Sequence, residues 1–154
     1  MSRRDEIRMS SAEVREFLAR SRTIILNSIG REGVPHPMPM FYAVEDDGAI
    51  VMTTYTKSQK IQNLKRDPRV SLLVEDGTTY SQLRGVVFYG SAELIADTDE
   101  VMRLLAAVAS HQGEAVDESE SALAGRRRMA EKRTGIRVKP NRVVSWDHRK
   151  LVGA

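Results

Sequence analysis

The chain has 154 residues, no cysteine and a formal net charge of +3. That length predicts one domain spanning residues 1–154 with a real buried core, and 41% hydrophobic with 29% charged residues is ordinary for a soluble globular protein. Disulfides and thiolate chemistry are excluded, a reducing cytoplasm is the natural setting, and no apolar run approaches the roughly 20 residues a membrane-crossing helix needs.

The N-terminal Met1-Ser2-Arg3-Arg4-Asp5-Glu6 has no apolar h-region, so no signal peptide is expected. Charge is distributed unevenly. Residues 126–154 carry ten Lys/Arg against Glu131 and Asp147, a net of +8, which leaves −5 on residues 1–125. A basic end suits nucleic acid, a membrane surface or an anionic small molecule. With 5% aromatic residues and no RNA-recognition signature, nucleic acid is the weaker of these.

Ser10 or Ser11 can cap a first helix over about 12–20, with Val14, Phe17 and Leu18 on one face. The β-rich run 23–29 then leads through Gly30-Arg31-Glu32-Gly33, a hairpin turn, into a second strand, 34–44. Pro35, Pro37 and Pro39 alternate along that strand, so they strip the N–H donors from one edge only. It must therefore be an edge strand or border a ligand or partner. His36, Met38, Met40 and Tyr42 share one face, with Pro39 and Phe41 on the other. The two methionines suit core filling and ligand contact equally well, and His36 alone reads as structural or solvent-facing.

Glu45-Asp46-Asp47-Gly48 makes a second hairpin turn before a strand over 49–55. The next stretch organises the functional reading. Thr56 and Gln59 fit a capping box, which predicts a short helix starting at Lys57 and stopped by Asp67-Pro68. Lys57 and Lys60 then lie in its first turn, where the helix dipole disfavours cations. The hydroxyls of Thr53, Thr54, Thr56 and Ser58 surround them with no acid among them. Such a collection is a ready anion site, phosphate above all. It is equally a pair of solvated lysines whose stems lie over Ile61 and Leu64.

Strands follow over 69–75 and 85–95, then a helix over about 98–111 capped by Asp97. A charged helical insertion over about 113–134 includes a helix from Glu118 to Arg133, ended by Gly135, whose Arg126-Arg127-Arg128 run reads as a solvated face. A bent final strand occupies 136–147. Frequent strands joined by short turns predict a mainly β (α+β) protein, a small antiparallel barrel with covering helices. His36, His111 and His148 are too scattered for a built metal site, and no catalytic or nucleotide-binding glycine motif is present. Any enzyme of this composition relies on a bound cofactor for the hard step.

Three segments together resemble a known family: Gly33–Met40 with its prolines, Thr53-Thr54 followed by Lys57–Leu72, and Gly85–Ala92. They are similar to the pyridoxamine 5'-phosphate oxidase-like split β-barrel flavoproteins, and most to the deazaflavin branch that uses coenzyme F420. The resemblance covers about residues 10–110 and resumes at Arg137–Leu151. It implies an FMN-binding split-barrel fold and hydride transfer between reduced F420 and a small unsaturated substrate. The alternatives are an FMN-dependent oxidase or reductase and a non-catalytic flavin- or F420-binding protein. By position it implies that Thr53, Thr54, Ser58 and Lys60 hold the cofactor phosphate, flanked by Lys57 and Asn63. The backbone of Met38, Pro39 and Met40 would border the ring, and Thr79 and Tyr80 would approach from the neighbouring region. Proteins of this type are homodimers with the sites at the interface, so Trp146 and His148 would come from the second subunit. No membrane or nucleic-acid partner is implied. Tyr42, Tyr80 and His148 are the candidate proton donors. Arg126–Arg128, Arg137 or Lys139 could line the path of a polyglutamate tail. The substrate-binding Arg/His pattern of a true pyridoxamine phosphate oxidase is not evident in the last strand, which argues against vitamin B6 as substrate.

Overall fold

The computed structural model describes residues 2–151. Seven strands form one antiparallel sheet in the order β2-β1-β5-β6-β7-β4-β3. They are β1 (Thr23–Ile29), β2 (Pro35–Phe41), β3 (Ala43–Val44), β4 (Ile50–Tyr55), β5 (Arg69–Asp76), β6 (Arg84–Ile95) and β7 (Arg133–Asp147). The sheet curls until β2 and β4 approach one another without pairing, giving a split barrel. Its interior is filled by alternate residues, among them Ile24, Leu26, Ile50, Met52, Leu72, Val86 and Ile136, all sealed from solvent.

Two short helices, α1 (Arg3–Glu6) and α2 (Ser11–Arg20), open the chain. The sequence pattern did not anticipate α1. Ser10 caps α2 in a capping box, its Oγ accepting from the Glu13 N–H while Glu13 accepts from the Ser10 N–H. Phe17 and Leu18 of α2 enter the core. The predicted strand over 34–44 breaks at Tyr42, which turns wholly inward and divides β2 from β3. As its prolines require, β2 is the terminal strand of the sheet and pairs only with β1. Helix α4 (Thr98–His111), capped by Asp97, lies outside β4 and β7. It buries Val101 and Leu104 in a second, smaller core with Val51, Ile95 and Ala130.

The last third of the chain corrects the sequence reading. Helix α5 (Glu120–Ala130) is capped by Ser119 and ends three residues earlier than predicted, because β7 takes over at Arg133. Gly135 does not stop the helix. It sits inside β7, where a Cβ would meet Leu104 Cδ1 at 2.7 Å, so close packing of α4 is what demands glycine there. Strand β7 bends where Asn141 is extra against the Tyr89/Gly90 step of β6. No helix among the described residues is long and apolar enough to cross a membrane.

Candidate cofactor site

Helix α3 (Gln59–Arg66) begins two residues later than its sequence predicts. The Thr56–Gln59 capping box does not form. Thr56 Oγ1 instead shares a hydrogen bond with Thr134 Oγ1 at 2.9 Å, and the Ser58 N–H closes a turn on the Tyr55 carbonyl at 3.0 Å. Ser58 is therefore the N-cap, and Lys57 lies exposed outside the helix, facing a cleft lined by Tyr55, Thr56, Glu131 and Lys132. Only Lys60 remains in the first turn, and no acid accompanies it.

This helix start is left open chemically. An N-cap serine ordinarily accepts from the second or third N–H of its helix, yet Ser58 Oγ is buried with no hydrogen-bond partner among the described residues. Lys60 is 9% exposed, and among the described residues it forms neither a salt bridge nor a side-chain hydrogen bond. Burial lowers its pKa. Among the described residues, three buried side-chain atoms lack partners: Ser58 Oγ, His36 Nδ1 and Arg133 Nε. All three border this end of the barrel. His36 lines a cavity of about 310 Å³ with Gln59 and Asn63 of α3, and Arg133 stands opposite Tyr55 in the β4–β7 ladder. Buried polar groups are nearly always paired, so three open ones near α3 mark this end of the barrel as the candidate site.

Strand β2 spans the same end. His36 faces α3, and Phe41, at the other end of the strand, lines a groove with Thr53 of β4. Between them Met38 and Met40 turn half-buried toward the barrel interior, with Met40 against the core. Pro39 is exposed on the outer face, and the unpaired backbone edge is what a flat ring would meet. Thr53 and Thr54 lie on opposite faces of β4. Thr54 is buried toward the interior, and Thr53 faces the groove. Asn63 is fully buried and already occupied: its amide donates to Ser28 Oγ and its oxygen accepts from Gln59 and Arg66. It holds the helix and shapes the cavity wall.

The remaining predicted residues lie elsewhere. Thr79 caps the 3-10 turn Tyr80–Gln82, and the Tyr80 ring, 72% exposed, rests 4.6 Å from that of His148. Trp146 packs beside Gly85, where a Cβ would sit 2.4 Å from its ring. In the ladders, Gly135 faces Thr53 of β4, whereas Trp146 faces Gly85. Eleven residue steps of β7 separate them, about 36 Å of strand at 3.3 Å per residue. Gly135, the neighbour of Thr53, and Trp146, the neighbour of Gly85, thus lie toward opposite ends of β7.

A profile of the pyridoxamine 5'-phosphate oxidase family matches residues 10–147. The chain belongs to this family. Among solved structures, the conserved hypothetical protein Rv2991 from Mycobacterium tuberculosis is 43% identical, with a TM-score of 0.87 over 98% of this chain and 92% of that one. An F420 reductase is 21% identical, with a TM-score of 0.63 over 83% and 93%. A FAD-binding protein from Mesorhizobium loti is 20% identical, with a TM-score of 0.64 over 89% and 94%. At those last two identities the likeness is of fold alone. Among curated proteins none matches by sequence.

In this pyridoxamine 5'-phosphate oxidase family member, one expectation from the sequence is overturned. Tyr42 is no proton donor, because its hydroxyl is sealed in the core between the carbonyls of Leu18 (2.6 Å) and Ser21 (3.2 Å). Burial pushes its phenol far above the ordinary range. Most of the cations assigned to a polyanion path stand in ion pairs within the chain. Arg137 binds Glu45 (2.8 Å) and Glu100 (2.6 Å), Lys139 binds Asp47, Arg126 binds Glu118 and Arg127 binds Asp99. Arg133, read from sequence as the end of a charged helix, carries the open guanidinium instead. No local pattern marks it, since its partner Tyr55 is a distant strand neighbour.

Proposed function

We propose that the chain binds a phosphorylated flavin-type cofactor at the start of α3, and that this cofactor is the deazaflavin coenzyme F420. Ser58 Oγ carries the reading: among the described residues it is a buried N-cap hydroxyl with no partner, two positions before a buried lysine with no acid. A phosphate oxygen supplies what both lack, together with an acceptor for the free N–H groups of the first turn. Thr53 and the edge of β2 lie at the same end to border a ring. When bound, the cofactor accepts or donates hydride, and the chain fixes its position and excludes water on one face. The substrate would be a small unsaturated organic molecule, and the setting cytoplasmic.

The proposal includes a homodimer. Pro39, Ile25, Leu73, Val87 and Val144 stand side by side across five strands on the outer face of the sheet. This apolar row remains partly open to solvent and suits a second copy, which would bring Thr79, Tyr80 and Trp146 to the α3 end. Sedimentation at micromolar concentration should return twice the chain mass of 17.3 kDa.

Titration with F420 and, separately, FMN tests the cofactor reading. A charge-assisted contact contributes about 1.5–3 kcal/mol, so Lys60→Ala should bind roughly ten- to hundredfold more weakly. Unchanged affinity would remove the phosphate site. FMN remains the second reading because its phosphate would suit the same open helix start. Purified protein that is yellow with bound flavin would favour it.

A further inference from the structure

The groove of about 410 Å³ beside Thr53 combines an apolar lining with one unsatisfied cation. Phe41 ends strand β2, Leu105 comes from α4 and Met129 from α5, and Phe41 and Met129 are 59% and 48% exposed. Arg133 enters from β7. Its guanidinium lies 4.4 Å over the Tyr55 ring, which fixes its orientation, and its Nε is buried without an acceptor. Arg126 lines the same groove but is committed to Glu118 and the Asp117 carbonyl. Glu114, also on the lining, forms no salt bridge with Arg133 among the described residues. The helix α5 of the charged insertion is thus one wall of a groove.

We propose that this groove is the substrate site and that it takes a small unsaturated cyclic carboxylate. The ring packs among Phe41, Leu105 and Met129, and the carboxylate accepts from the Arg133 guanidinium. The assignment rests on the cofactor reading in one respect: Thr53 is shared, so an occupant here lies against the region where the cofactor ring is placed. A neutral isostere leaves Arg133 unpaired and gains only apolar contact.

The experiment is calorimetric or NMR titration of the full chain with 1-naphthoate and with 1-naphthalenemethanol as its uncharged counterpart. The acid should bind at least about tenfold more tightly than the alcohol, and Arg133→Gln should erase that difference. Met129→Trp, a change at an exposed position that fills the groove, should weaken both ligands. Equal affinity for acid and alcohol, no binding of the acid at millimolar concentration, or an unchanged Arg133→Gln overturns the proposal. Naphthoate titration of Lys60→Ala, which removes a cofactor contact that does not line the groove, separates the two readings. Failure of the cofactor site would leave naphthoate binding and its Arg133 dependence intact, whereas failure of the groove would leave cofactor binding intact.

Discussion

Asn63 Nδ2 donates to Ser28 Oγ at 3.0 Å with both side chains sealed from solvent, tying α3 to β1 across the end of the barrel. The same amide oxygen receives Gln59 and Arg66, so one side chain fixes both ends of the helix. Asn63→Ala leaves Ser28 and a buried cavity unsatisfied. The loss should be about 1–3 kcal/mol, which lowers the melting temperature by roughly 3–10 °C. Thermal unfolding followed by circular dichroism checks it.

Tyr42→Phe distinguishes a structural hydroxyl from a catalytic one. Its removal strands the Leu18 carbonyl at the end of α2 and should cost about 1 kcal/mol, or roughly 2–4 °C. Turnover with any accepted substrate should be unchanged at temperatures where the variant is folded, because no solvent or ligand reaches the ring. A selective fall in the rate constant would return Tyr42 to the chemistry.

The ion network of Glu45, Glu100, Arg103 and Arg137 predicts a pH dependence. Arg103 and then Arg137 hold the Glu100 carboxyl at about 2, and Arg137 and then Arg103 lower that of Glu45. Both carboxyls are held below the ordinary 4.5, so the contribution is full above that pH and is lost as pH falls, for Glu100 toward about 2. Urea midpoints measured from pH 6 to pH 3 should therefore fall more steeply for the native chain than for Arg137→Gln. Parallel curves would show that the network adds nothing net to stability.

Much of this architecture is legible in one dimension because it follows from backbone chemistry. Three alternating prolines force β2 to the sheet edge, and Asp97, Gly48 and Pro68 punctuate their elements where expected. The misreadings share a different cause. The capping pattern at Thr56 is locally sound but loses to Thr134, which lies 78 residues away. Gly135 looks like a helix stop until Leu104 is packed against it. Arg137 looks like a free cation until strand pairing and α4 deliver Glu45 and Glu100. The open helix start could be suspected from its lack of acids, but the solitude of Ser58 Oγ is visible only in three dimensions.

The distance along β7 between Gly135 and Trp146 has a genetic consequence. If each catalytic centre joins the α3 end of one chain to the Trp146 end of another, a variant damaged at Lys60 and a variant damaged at Trp146 are both inactive alone. Co-expressed, they would form hybrids in which one pocket inherits both lesions and the other inherits neither, so part of the activity would return.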